Sequence, residues 1–397
     1  MSNTLEAVVA GHICLDVIPD LSGSSRQDFE RLFLPGRLLE VGPITFSTGG
    51  PVANTGLALH KLGVNTRLMG KVGDDLFGGA VKQLVSTYDP HLAEGMVVDP
   101  VVRTSYTVVI NPPQVDRIFL HFAGANDTFK ANDVRYDVVA AARLFHFGYP
   151  PIMKSMYANN GAELTDIFRR VKATGATGSL DMSLPDPSSA SGQADWRAIL
   201  QATLPYVDIF LPSAEEILYM LRRQTFDEFH QTARGGDVLP LFTPSLLAEL
   251  SEELLSLGAK IACIKLGYRG FYMHSGDQAA MERLGRARPA NPATWANKQL
   301  WAPAFQVAEV GATGSGDASI AGFLTALLRG LSPEEALQAA TAVGACNVEA
   351  ADGVSGIRPW AETLTRVAAG WSQHNLTLAG SGWRFDDDFR LWVGHAS

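Results

Sequence analysis

The sequence predicts an α/β protein: a three-layer sandwich built on a mainly parallel central sheet, with a small second β-sheet projecting from it. Two observations carry this. Short apolar runs rich in β-branched and aromatic residues alternate with segments of helical period, the pattern of strands joined by crossover helices that cover both faces of a sheet. Two stretches, Val17–Thr45 and Val101–Phe122, break that alternation.

The predicted main-sheet strands are Ala7–Ala10, Arg67–Met69, Leu144–Phe147, Ser179–Met182, Val207–Leu211, Lys260–Ile264 and Phe271–His274. Among the helices, Pro244–Leu257 places Leu246, Leu247, Leu250, Leu254 and Leu257 on one face, with Gly258 set to end it. A second helix follows Asp317, with Ile320, Phe323, Leu324, Leu327 and Leu328 on one stripe. A third opens at Ser332-Pro333-Glu334-Glu335, a capping box with proline at the first helical position. In the irregular stretches, Tyr106, Val108, Ile110 and then Ile118, Leu120, Phe122 alternate as strands do around a Pro112-Pro113 turn. The tail from Gln373 differs again, with Trp383, Phe385, Phe389 and Trp392 around three aspartates, Asp386 to Asp388. The expected organisation is one large domain over 1–372, with the projecting segments at about 17–45 and 101–122, and a C-terminal extension over 373–397.

Composition narrows the function classes. Of 397 residues, 46% are hydrophobic and 18% charged, which suits a protein with a sizeable core. The net charge of −9 carries no basic stripe, so no nucleic-acid partner is expected. Cys14, Cys263 and Cys346 lie far apart in apolar settings and make neither a metal-ligand spacing nor a disulfide framework. No secretion signal opens the chain, and no uncharged apolar run reaches the ~18 residues of a membrane span. A cytoplasmic protein without a membrane partner is expected.

The strongest chemical signal is Gly311-Ala312-Thr313-Gly314-Ser315-Gly316-Asp317, directly ahead of a helix. Small residues let backbone N–H groups approach an anion, and the helix N-terminus adds partial positive charge. Phosphoryl transfer needs such a hole, and also a carboxylate in reach of the attacking hydroxyl. Asp317 follows immediately. By itself the string reads equally as a glycine-rich turn with Asp317 as its cap. The second signal is Ser47-Thr48-Gly49-Gly50-Pro51-Val52-Ala53-Asn54, followed by Leu62-Gly63 and Gly70-Lys71-Val72-Gly73-Asp74-Asp75. A Gly-Gly pair before a helix exposes amides, and Asn54 adds donor and acceptor groups suited to a polyol. Alone, it is also a tight turn with Asn54 capping.

In order and spacing these two signals resemble the ribokinase/PfkB family of carbohydrate kinases, from about Val8 to Ile357. Gly124-Ala125-Asn126, the strand ending in Asp181, and Lys265-Leu266-Gly267-Tyr268-Arg269-Gly270 match further family landmarks between them. The resemblance implies a ribokinase-like sandwich whose small sheet is a lid over a sugar, and an ATP- and Mg2+-dependent kinase. It implies Asp317 as catalytic base and Gly314, Ser315 and Gly316 as the anion hole. Asp16, Gly49, Gly50 and Asn54 would hold the acceptor's hydroxyls. Gly267 would lie along the nucleotide phosphates and ribose, Asn347 near the adenine, and Glu216 would act on magnesium through water. Three departures stand out. Gly311-Ala312 replaces the usual Asp-Thr, which argues against activation by a monovalent cation. Ser213 replaces the asparagine of the Asn-x-x-Glu motif. Lys265 replaces a frequent threonine, to touch phosphate or to lie along the strand end. Arg103, Tyr106 and Arg117 are candidate lid contacts to substrate, and pairing of lids would give a homodimer. The rival readings are a nucleoside kinase of the same family and a sugar-binding regulator that has lost turnover.

Overall fold

The computed structural model describes residues 4–23, 34–36, 38–111, 118–378 and 382–394. From the N-terminus, strand β1 (Ala7–Gly11) leads through His12 and Ile13 into β2 (Cys14–Pro19). Strand β3 (Ile44–Gly49) returns to Gly50 and opens helix α1 (Pro51–Lys61), which β4 (Thr66–Met69) and the short β5 (Lys71–Gly73) follow. Helix α2 (Leu76–Ser86) precedes β6 (Val97–Asp99), β7 (Tyr106–Ile110) and β8 (Ile118–Phe122). The chain re-enters the main body with β9 (Leu144–Gly148), α3 (Ala162–Thr174), β10 (Thr177–Leu180), β11 (Ile209–Phe210) and α4 (Ala214–Leu221). Then come α5 (Pro244–Ser256), β12 (Ile261–Lys265), β13 (Phe271–Ser275) and β14 (Gln299–Ala302). Helices α6 (Ser315–Leu328) and α7 (Pro333–Asn347) precede a final hairpin, β15 (Trp383–Asp386) and β16 (Leu391–Gly394).

The main sheet has ten strands in the order β15-β16-β14-β13-β12-β11-β10-β9-β1-β4. Strands β4, β1, β9, β10, β11 and β12 are parallel, and the rest join antiparallel. Successive side chains leave a strand on opposite faces. So Val9, Leu144, Ile209 and Cys263 bury against α1, α6 and α7, while Val8, Phe145, Phe210 and Ile264 bury against α3, α4 and α5. That is the expected three-layer sandwich.

Helix ends follow local chemistry. Thr243 caps α5 by accepting from the Leu246 amide at 3.2 Å, and the chain leaves it through Gly258 at φ 121°. Ser332 and Glu335 form the expected reciprocal box, at 3.2 and 2.8 Å. Some boundaries differ from expectation. Strand β10 ends at Leu180, not Met182, which leaves Asp181 at the sheet rim with its amide on the Phe147 carbonyl at 2.9 Å. Strand β11 keeps only two residues because Val207 closes a turn on the Leu204 carbonyl. Helix α6 starts two residues before Asp317, not after it, so that carboxylate belongs to the first turn.

The small sheet runs β3-β2-β7-β8. It starts at Cys14 and closes at Gly49, so it includes Asp16 and the first glycine of the Gly-Gly pair. The Pro112-Pro113 turn, Arg117 and part of the 17–45 segment lie outside the described residues. The tail hairpin extends the main sheet through β14: Trp383 packs near Tyr272 and Trp301, and the Trp392 indole N–H donates to the Leu376 carbonyl at 3.0 Å. Among the described residues no helix is long and apolar enough to cross a membrane.

Candidate active site

The carboxyl ends of the parallel strands meet the N-terminus of α6, the rim at which open α/β sheets hold ligands. Asp317 lies there in the first turn, 1% exposed. Its Oδ2 accepts from the Asn54 amide at 3.0 Å and the Tyr149 hydroxyl at 2.9 Å, and its Oδ1 from the Thr55 hydroxyl at 3.1 Å. Burial pushes its carboxyl above the ordinary range, against these donors and the Lys265 charge, which favour the ionised form. The result is an oriented, buried carboxylate with enhanced appetite for a proton.

Gly314 precedes the helix at φ 71°, a left-handed conformation that a side chain would strain, and a Cβ there would sit 2.9 Å from the Gly353 backbone. First-turn amides lack intrahelical acceptors, so this end of α6 is an anion site in waiting. The Ser315 amide is partly engaged already, by the Ala312 carbonyl at 3.2 Å. At Gly311, where the resemblance expects an aspartate, a side chain would begin 3.1 Å from the Ala350 and Ala351 carbonyls.

One wall of the site comes from the small sheet. Register places Asp16 opposite Ser47 and Thr107, and Thr107 opposite His121, so all share one face. A Cβ on Gly49 would meet the Asp16 carboxylate at 2.5 Å, and one on Gly50 would meet His12 Nδ1 at 2.5 Å. Gly50 is therefore required by its φ of 86° and by the His12 carbonyl 2.6 Å from its Cβ position, whereas a side chain at Gly49 would displace the Asp16 carboxylate. Burial raises the Asp16 carboxyl to about 6, although Cys14 and Thr107 donate to it. A bonded string connects the two sheets: His12 Nε2 meets His121 Nε2 at 3.4 Å, and His121 Nδ1 meets the Thr107 hydroxyl at 3.0 Å. Burial holds both imidazoles below their usual pKa, hence neutral at neutral pH. Asn126 clamps the link between the sheets, accepting from the Ile13 amide at 3.1 Å and donating to the Ile13 carbonyl at 2.9 Å.

On the opposite wall, the Lys265 ammonium pairs with Asp181 and lies against Gly316, whose Cβ position is 3.7 Å from Nζ. Glu216 and Ser213 cap α4 reciprocally: the Glu216 Oε2 accepts from the Ser213 amide at 2.6 Å. One Glu216 oxygen is thus committed to the helix, which fits an indirect contact with a metal. Gly267 forms the turn beyond β12 at φ 53°. Asn347 is fully buried and donates to the Thr313 carbonyl at 2.8 Å, so it braces the glycine-rich loop.

Of the residues expected from sequence, Asp317, Asn54, Gly314, Gly316 and Lys265 come together, with Asp16, Gly49 and Gly50 forming the wall across from them. Asn54 spends its amide on Asp317, a partner the sequence does not announce. Arg103 and Tyr106 fall elsewhere: with Asp75, Leu76, Phe77, Thr104 and Phe122 they line a separate cavity of about 410 Å³, and register puts Tyr106 on the face opposite Thr107 and Asp16. Thr55, Tyr149, His12 and His121 were not foreseen. Tyr149 carries one faint signal, its place after a strand and before Pro150-Pro151, and it adopts a left-handed conformation, φ 64°. Strain of that kind gathers at functional sites.

Residues 5–359 match the model of the pfkB family carbohydrate kinase. A maize protein named fructokinase-2 is 26% identical over 233 residues, 58% of this chain and 64% of that protein. The Arabidopsis thaliana ribokinase solved with ribose and ATP superposes with a TM-score of 0.67 at 17% identity, over 91% of this chain and 98% of that one. A putative ribokinase II from E. coli, solved with ATP and Mg2+, gives 0.66 at 20% identity, over 92% and 99%. At such identities the two structures speak for the fold alone, and they confirm the ribokinase-like sandwich with its smaller sheet.

Proposed function

The chain belongs to the pfkB family of carbohydrate kinases, and from that premise we propose that it moves the γ-phosphoryl group of ATP to a hydroxyl of a sugar or sugar acid. The observation that carries the reading is the environment of Asp317. A buried carboxylate, held by three side-chain donors in the first turn of α6, puts a base and an anion site within one helical turn. Asp317 takes the proton of the acceptor hydroxyl as its oxygen forms a bond to the γ-phosphorus, and the bond to the bridging oxygen of the leaving ADP breaks. The amides at the N-terminus of α6, over Gly314, Ser315 and Gly316, stabilise charge on the group in flight, and Lys265 neutralises it further. Asp16, with the Gly49–Gly50 approach beside it, holds acceptor hydroxyls. The small sheet excludes water, so that ATP is not hydrolysed. A magnesium ion arriving with the nucleotide would neutralise phosphate charge, with Glu216 reaching its water shell.

Pairing through the lid fits the small sheet's outer face, where Ile44, Phe46, Leu120 and Phe122 are all exposed. An exposed apolar face of that kind marks an interaction surface.

The decisive test is Asp317→Asn, which should keep the fold and ATP binding and lower turnover by about 10²–10⁴-fold, the usual worth of a positioned base. Full activity in that variant would remove Asp317 from the mechanism. Sugar and ATP binding without turnover in the unaltered chain, across a panel of sugars, sugar acids and nucleosides, would mark a regulator instead.

A further inference from the structure

The ion pair at the phosphoryl end of the site is unusual in how it is housed. Asp181 is fully buried, and while its Oδ1 contacts Lys265, its Oδ2 has no hydrogen-bond partner. Lys265, whose side chain is 12% exposed, lies with Cδ 3.4 Å and Nζ 3.7 Å from the Cβ position of Gly316, at the start of α6. The titratable groups tied electrostatically to the pair are Glu216 from α4, Asp317 from α6, Tyr149 from the turn after β9, the neutral His146 of β9 and the buried Cys263 thiol of β12. Three carboxylates therefore share one ammonium. A phosphate chain docking at α6 brings further negative charge into the same low-dielectric space, where like charges cannot all stay ionised.

We propose that Asp181 is a positioning residue that hands Lys265 to the phosphates: as they settle at the N-terminus of α6, Asp181 takes a proton from solvent, its ion pair opens, and the still-charged ammonium turns to the phosphate oxygens. This rests on the nucleotide site proposed above. Asp181 is the carboxylate suited to the exchange. Asp317 is satisfied by three donors and Glu216 by the Ser213 amide, whereas Asp181 depends on Lys265 and has an oxygen to spare. Burial already pushes its carboxyl up to about 8, even though Lys265 pulls the other way, and Lys265 itself is held above its ordinary value. The competing arrangement is that the ammonium, with three N–H donors, serves Asp181 and phosphate together.

Calorimetric titration of ATP with Mg2+ into the full chain, near pH 8.5 and in two buffers of different ionisation enthalpy, separates the two. ATP is fully deprotonated there, and Lys265 stays charged. Exchange predicts net proton uptake that grows as pH rises. It also predicts that Asp181→Asn, which mimics the protonated form, takes up none and binds tighter than the parent. That gap should widen as pH rises, because the parent must then gain a proton that asparagine does not need. Lys265→Met should bind at least about tenfold more weakly at every pH. Binding by the unaltered chain with no proton uptake and no dependence on pH, a result that needs no variant, would overturn the exchange in favour of a shared ammonium. So would Asp181→Asn binding no tighter than the parent. Failure of the unaltered chain to bind ATP at all would overturn the nucleotide site itself, and the exchange with it.

Discussion

Asp16→Asn should make this protein more stable near neutral pH while it weakens the acceptor site. Burial raises the Asp16 carboxyl from 3.8 to about 6, with Cys14 and Thr107 only partly offsetting it. A carboxyl whose folded pKa is raised favours folding fully below its unfolded pKa. It loses that contribution as pH climbs through the folded pKa, because ionisation then costs more in the folded chain than in the unfolded one. The difference of about 2.2, at 1.36 kcal/mol each, corresponds to about 3 kcal/mol near pH 7.5. Near pH 4.5, where the folded carboxyl is protonated and the unfolded one mostly is not, the same linkage leaves about 1 kcal/mol. Asparagine keeps the shape and removes the charge, so urea unfolding should show the variant ahead by up to about 3 kcal/mol near pH 7.5 and by about 1 kcal/mol near pH 4.5. The KM for the sugar should meanwhile rise about tenfold or more, the worth of a hydrogen bond to a charged acceptor. In the parent chain that KM should climb as pH falls through about 6, as Asp16 becomes protonated. A variant less stable than its parent near pH 7.5, or a gap that does not narrow on acidification, would refute the reasoning, because the burial of Asp16 would then not be a strain held for binding.

Tyr149→Phe removes one donor from Asp317 and should move the acid limb of the kcat–pH profile upward by about one unit, the equivalent of one charge-assisted hydrogen bond; an unmoved limb would mean that the hydroxyl leaves the base untouched. Paired Phe46→Glu and Leu120→Glu substitutions on the lid's outer face should convert a dimer to monomers in sedimentation velocity, with little change in monomer folding since both residues are about half exposed. A dimer that survives them would place the contact elsewhere.

What the sequence made legible was largely periodic or local. Alternating β-branched runs gave the parallel strands, because both faces of such strands are buried and their composition follows. The box at Ser332 was readable because a cap is decided within four residues. Asp317 was readable because the glycine-rich string ahead of it recurs in order and spacing with the Gly49-Gly50…Asn54 signal; alone, that string is as readily a capped turn. The partners of Asp317 were not, since Tyr149 and Thr55 arrive from 168 and 262 positions away and carry no signature of their own. Register decided the fate of Tyr106: one residue of shift along a strand changes the face, and Tyr106 points to the face away from Thr107. The tail's aromatics read only as an apolar segment, because joining a sheet edge depends on what that edge leaves open, in this case β14.

The small sheet is continuous with β1, the strand next to the β4 edge of the main sheet. Only His12 and Ile13 separate β1 from β2, and Asn126, just beyond β8, grips both backbone groups of Ile13. Two of the connections between the small sheet and the body therefore cross at one residue. Any rotation of that sheet must pivot close to Ile13, because moving the pivot would break two buried hydrogen bonds at a cost of about 1–3 kcal/mol for each group left unpaired. Asp16 is three residues along from the pivot and His12 is one residue before it, so their separation changes little in such a rotation. The His12–His121 contact, 3.4 Å long, lies beside the same pivot, so a rotation about Ile13 leaves it and Asp16 registered to the body.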